Sequence, residues 1–241
     1  MTKRICVIGD SHAASLKRAW DGMTALHDEF KLRFFCARGL ELSGMVVDEL
    51  RLIPNSEALA RTIRFTAGED RIDPREYDIF LLYGLGCHPY FVQTDVFLSQ
   101  STLTAALRDS VKPTLSFELL LRLRAITAKV IYVGHQPMEA ARGDAAPEEV
   151  SVYSSSIRRM NEVLYRPLRT TIVSQPPDTI AGARFTHPSF SKGSRRLAVG
   201  DSLDDEFHPD DDHVHMNDDY GSRWLMKFLT EELAAGSTAN G

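Results

Sequence analysis

Cysteine is scarce in this sequence of 241 residues. Only Cys6, Cys36 and Cys87 occur, an odd number with no C-x-x-C spacing. A disulfide framework and a thiolate zinc site are thereby excluded, and the expectation is three reduced thiols in a cytoplasmic protein. Long apolar runs are missing too: nothing approaches the roughly 18 consecutive apolar residues of a membrane span. Behind the basic start Met1-Thr2-Lys3-Arg4 the apolar stretch is only Ile5-Cys6-Val7-Ile8, too short for the core of a secretion signal. Basic charge is in deficit. The 28 Lys and Arg against 33 Asp and Glu leave a net charge of -5, and no basic stripe offers phosphates a face, which speaks against a nucleic-acid partner.

What remains is ordinary globular composition, 43% apolar and 25% charged, in a chain long enough for one well-buried core and short for two. No repeat or linker divides it, so residues 1–235 are expected to form a single domain and 236–241 a disordered tail. Short β-branched runs alternate with amphipathic stretches, the pattern of a parallel sheet wrapped by helices. Strands are predicted at 5–8, 31–37, 78–83, 129–133 and 170–174, with a further short strand at 196–199. Helices are predicted at about 13–26, 115–127 and 148–164, and over a last amphipathic stretch from Tyr220 to Leu233. Residues 40–75 are poorly periodic, with helical hints at 46–52 and 57–63. The fold class this implies is α/β, a three-layer α/β/α sandwich around a mainly parallel five-stranded sheet, with its active edge at the carboxyl ends of the strands.

Two segments carry chemistry. Ser11 follows the first strand by two residues and precedes a helix, so its amide sits at a helix N-terminus, a place suited to nucleophilic attack and to holding a developing oxyanion. Serine also caps helices there without doing chemistry. Ser202, in Gly200-Asp201-Ser202-Leu203, is a second candidate, but acidic residues and Pro209 follow it and no helix aims its amide. The other segment is Asp212-His213-Val214-His215, directly before the last helix. A serine needs a base, and the base needs a group that fixes its tautomer. His215 with Asp212 meets both needs, with His213, Asp210 and Asp211 as rivals. Asn217 and the Asp218-Asp219 pair suit the N-terminus of the helix that follows. Residues 204–219 hold eight carboxylates and the histidines His208, His213 and His215, a set that can hold a hard cation or zinc or be a solvated acidic loop. No H-E-x-x-H or EF-hand spacing is present, and neither metal nor cofactor is expected.

The run Ile5-Cys6-Val7-Ile8-Gly9-Asp10-Ser11-His12-Ala13 resembles the first block of the SGNH (GDSL-like) hydrolases, and its His12 resembles the G-D-S-H form of SGNH domains in polysaccharide O-acetyltransferases. The D-x-x-H segment resembles the family's last block. The resemblance implies a flavodoxin-like topology and a triad of Ser11, His215 and Asp212. It implies oxyanion donors at Ser11, at Gly39 after the second strand, and at the third block. There the family has Asn and this chain has Gly86, a loss worth about 3 kcal/mol of transition-state stabilisation unless another group substitutes. His12, His88 and His135 are candidates for substrate contact, and Cys87 is read as pocket lining. The loop at 184–188, with Lys192, Arg195 and Arg196, is either a substrate lid or plain surface. The function implied is an ester hydrolase or O-acyltransferase working on a small-molecule or carbohydrate ester, with a non-catalytic glycan- or partner-binding scaffold and a metal-dependent hydrolase as alternatives.

Overall fold

In the computed structural model, residues 2–92, 98–142 and 150–234 are described; the expected tail at 236–241 lies outside them. Strand β1 (Lys3–Gly9) is apolar on both sides, as a strand covered on both faces must be. It pairs in parallel with β2 (Phe30–Cys36) and with β5 (Ile79–Tyr83); β6 (Val130–Gly134) and β7 (Thr170–Val173) extend the same sheet. The order is β2-β1-β5-β6-β7, so the chain leaves β1 first to one side and then to the other. The carboxyl ends of β1 and β5 therefore flank the topological switch point, where open α/β sheets carry their sites.

Side chains alternate along each strand and split the core in two. Ile5, Val7, Phe34, Leu81 and Tyr83 face α1 (Ala13–Gly22) and α6 (Asp218–Lys227). Cys6, Ile8, Phe35, Phe80 and Leu82 face the opposite layer, to which α2 (Glu57–Ala67), α3 (Gln100–Val111), α4 (Leu115–Ile126) and α5 (Val150–Met160) contribute buried side chains. The molecule is thus a three-layer α/β/α sandwich with an all-parallel central sheet, as the alternation predicts. Among the described residues, no helix is long and apolar enough to cross a membrane.

Two local expectations fail, and one helix lies outside them. Residues 46–52 are not helical: β3 (Met45–Asp48) and β4 (Arg51–Pro54) form an antiparallel hairpin, closed by Glu49 and Leu50 at φ 44° and 64°. A two-residue turn with positive φ at both positions matches strand twist, and the β-branched Val46, Val47 and Ile53 prefer the strand. Residues 196–199 form no strand, because the carbonyls of Arg195, Arg196 and Leu197 accept from the guanidinium groups of Arg18 and Arg38. Helix α3 is not among the elements that the pattern predicts; Ser99 caps it through the amide of Thr102. Beyond α5 the chain continues in a wider turn, Asn161–Tyr165. Buried Asn161 there pairs with both the amide and the carbonyl of Ile172, tying down β7, an edge strand of the sheet.

One contact sets the spacing of α1 and α6. A methyl group at Gly221 would lie 2.2 Å from the carbonyl oxygen of Ser15 and 3.0 Å from the amide nitrogen of Leu16. Backbone cannot yield as a flexible side chain does, so Gly221→Ala must push the helices apart. The expected loss is about 1–3 kcal/mol. Gly22→Ala, where an added methyl meets nothing within 4 Å, should be neutral or stabilising by up to about 1 kcal/mol. Urea unfolding of the two variants checks the contrast, and equal midpoints would refute it.

Candidate active site

At the end of β1 the chain turns sharply. The carbonyls of Asp10 and Ser11 accept from the amides of Ala13 and Ala14, which starts α1 immediately. Gly9 is required by crowding: a methyl there would sit 2.7 Å from Cβ of Ala13 and 3.0 Å from the carbonyl oxygen of Tyr83. Asp10, between Gly9 and Ser11, is a brace. Its Oδ1 accepts from the amide of His12 at 3.1 Å and its Oδ2 from the amide of Leu85 at 2.7 Å, so one carboxylate joins the ends of β1 and β5. Burial raises its pKa to about 6 against those two hydrogen bonds. The turn that Asp10 grips, Gly84-Leu85-Gly86, has positive φ throughout, at 74°, 56° and 71°. For the buried leucine this is an unusual conformation, of the kind that concentrates at functional sites. A side chain at Gly84 would lie 2.4 Å from Oδ1 of Asp10.

Ser11 Oγ lies 3.1 Å from Nε2 of His215, and Nδ1 of His215 lies 2.9 Å from Oδ2 of Asp212. Because the carboxylate can only accept, the neutral imidazole carries its proton on Nδ1 and leaves Nε2 free to accept from the serine hydroxyl. The D-x-x-H spacing has a local cause. Oδ1 of Asp212 folds back onto the amides of Val214 and His215 at 2.8 and 2.9 Å, which leaves Oδ2 for the ring. Burial pushes the Asp212 carboxyl up, but these amides and the His215 ring outweigh it and bring the pKa down to about 2. His213 contributes its carbonyl to the amide of Ala140. Asn217 caps α6 through the amide of Tyr220, with Asp218 and Asp219 in the first turn.

The remaining candidates divide. His12 is buried and stacks on His215 with 4.9 Å between centroids, and burial lowers its pKa to about 3. Gly39 stands in the turn after β2 at φ 57° and Gly86 in the turn after β5. Among the described residues the amides of Ser11, Gly39 and Gly86 donate no hydrogen bond to the protein. His88 is exposed. His135 is not available to a ligand: it is 1% exposed, Nε2 is engaged by the Tyr153 hydroxyl at 2.7 Å, and Nδ1 donates to the carbonyl of Gln136. Cys87 is core rather than pocket lining, fully buried against the Tyr165 hydroxyl, and burial pushes its thiol up to about 11. Ser202 is exposed on a loop where Asp204 accepts from the amides of Val199, Gly200 and Asp201. The loop at 184–188 is pinned: Thr186 is buried, pairs with Ile180 and joins the backbone at Glu139 and Ala141.

Sequence reasoning considers His208 only as a metal ligand. In the structure its ring lies flat against His215, 4.0 Å between centroids and 6° between planes, and its Nδ1 lies 3.2 Å from Oδ2 of Asp212. His208, Asp212 and His215 are the one group among the described residues with three ligand atoms close enough for a metal. Of the two rings, His215 is the one that hydrogen-bonds to Asp212 among the described residues. Two arginines fasten this loop over the site: Arg18 to Asp218 at 2.8 Å and to Asp205 at 3.4 Å, Arg38 to Asp201 at 2.6 Å and to Asp204 at 3.2 Å. Neither is visible as a motif.

Neither a protein-family model nor a curated protein matches this chain. Fold and site therefore define its class by geometry alone: an α/β sandwich with serine, histidine and aspartate in hydrogen-bonded series at the carboxyl edge of a parallel sheet.

The buried histidines make the fold acid-sensitive. Burial holds His12 near 3 and both His135 and His208 near 4 instead of 6.5. The unfolded chain therefore takes up protons below about pH 6.5 that the folded chain refuses until about pH 4, and stability drains as pH falls through that window. Asp10 opposes this, since its folded form near 6 binds a proton that an unfolded carboxyl at 3.8 does not. Three groups outweigh one, so urea midpoints should fall from pH 7 through pH 5.5 to pH 4; a level or rising series would contradict the assignment.

Proposed function

We propose that this protein is a serine esterase or O-acyltransferase acting through an acyl-Ser11 intermediate. The observation that carries the reading is the unbroken series Ser11 Oγ, His215 Nε2, His215 Nδ1, Asp212 Oδ2, with links of 3.1 and 2.9 Å. In the first step Ser11 Oγ bonds to the ester carbonyl carbon while its proton passes to Nε2 of His215. The tetrahedral intermediate collapses, the bond to the leaving alcohol breaks, and the alcohol oxygen takes that proton. Water then yields hydrolysis, or a second hydroxyl yields transfer, by the same steps reversed. The amides of Ser11, Gly39 and Gly86 are the proposed oxyanion donors. The SGNH-like sequence blocks support this reading, and the G-D-S-H form supports O-acetyl groups of a carbohydrate as substrate. A non-catalytic, ligand-binding version of the scaffold is the second reading, favoured by Gly86 where an amide side chain would serve the oxyanion.

A fluorophosphonate probe is expected to label Ser11, identified by peptide mass, and p-nitrophenyl acetate to be hydrolysed without loss of rate after EDTA. Ser11→Ala should lower the rate by about 1,000-fold or more, and Asp212→Asn by about 1,000- to 10,000-fold because the imidazole loses its tautomer. Ser202→Ala should stay within about twofold of the parent, since truncating an exposed loop hydroxyl removes no structural contact. An unlabelled Ser11 would hand the site to the binding reading; loss of rate on chelation would return it to metal chemistry.

A further inference from the structure

His215 is held by more than Asp212. His208 stacks on it at 4.0 Å and 6°, and His12 at 4.9 Å and 19°. Two rings at those separations cannot share one face without meeting each other, so they take opposite faces and the base is the middle of three imidazoles. Nδ1 of His208 also lies 3.2 Å from Oδ2 of Asp212, the oxygen that accepts from Nδ1 of His215 at 2.9 Å. The arrangement has a cost. Nε2 of His208 and Nδ1 of His12 are buried with no partner among the described residues, and each such nitrogen forfeits about 1–3 kcal/mol. An unpaired buried polar group next to a reacting centre calls for an explanation beyond stability.

We propose that His208 is a positioning residue for the base: it clamps the ring plane of His215 so that Nε2 stays aimed at Ser11, while His12 closes the other face. This inference rests on the Ser11–His215–Asp212 reading. The groups that bear on the stack are Asp212 and His208 from the same loop, Asp10 and His12 from the end of β1, His88 acting on His12, and Arg18 and Arg196 acting on His208. Burial keeps both flanking rings neutral to about pH 4. The imidazolium that forms on His215 in each turnover thus lies between uncharged rings rather than beside a like charge.

Replacing His208 by alanine removes the clamp: kcat should fall about tenfold to a hundredfold with KM within about twofold. His208→Phe keeps a flat ring against His215 and should recover most of that kcat. In the unaltered protein, nuclear Overhauser contacts are expected between the ring protons of His208 and His215. No recovery of kcat in His208→Phe, an unchanged kcat in His208→Ala, or missing ring contacts in the parent would each overturn the proposal. The ring contacts need no substrate, so if Ser11 fails to react with fluorophosphonate, the catalytic reading falls while this measurement still decides the stack.

Discussion

Everything at the site depends on how closely α1 and α6 approach. Ser11 opens one helix and His215 precedes the other, 204 positions later in the chain. The hydrogen bond between them tolerates only a few tenths of an ångström of error. Gly221 permits backbone to pack on backbone at Ser15. Trp224 and Phe228, one and two turns further along, fill the layer behind it against Tyr83 and Tyr132. Gly134 accommodates the same tryptophan, since a methyl there would lie 2.7 Å from the indole. The sheet, the helix pair and the Ser11–His215 distance are therefore one packing solution, and a side chain added at this contact changes all three.

Within that frame the site is electrostatically quiet. Arg18 and Arg38, the nearest cations fastened to the loop, are each taken up by two aspartates and by backbone carbonyls. Ion pairs this exposed contribute little free energy, about 0–1 kcal/mol apiece. Their effect is positional: they fix a segment of irregular backbone that no sheet or helix supports. Asp10 does the corresponding work on the other side, holding the left-handed turn after β5 against the start of α1. Buried charge is confined to groups that hold backbone, and burial lowers the pKa of His12, stacked on His215, to about 3.

How much of this was legible in the sequence follows from what kind of signal each part leaves. The five sheet strands and the helices at 13, 115 and 218 have periodic apolar patterns, and G-D-S followed by D-x-x-H placed three side chains that meet in space. Asn217 announced its cap by residue type. His208 gave no comparable signal: four residues before Asp212, it reads as one more member of an acidic loop, and only the fold lays its ring on His215. His135 misled for the opposite reason. Its position just after β6 puts it at the carboxyl edge of the sheet, but position does not show which way a ring turns, and Tyr153, on α5, captures it. The hairpin at 45–54 escaped because its turn uses Glu49 and Leu50 in a conformation that sequence usually marks with Asn or Gly.

The absent asparagine of the third block bears on what such a site would accept. An oxyanion there would be met by amides at three turns, each at the end of a different element: Ser11 at α1, Gly39 after β2, and Gly86 after β5. Amides carry partial charge in fixed directions and need no reorganisation when the negative charge develops. They do not attract an anion from a distance as a free guanidinium would, and Arg18 and Arg38 are already paired with carboxylates. With a net charge of -5 over the chain and an acidic loop beside the nucleophile, a carboxylate- or phosphate-bearing substrate would be repelled on approach. On the proposed reading, the electrostatics select for an uncharged ester, whose negative charge appears only after Ser11 has attacked.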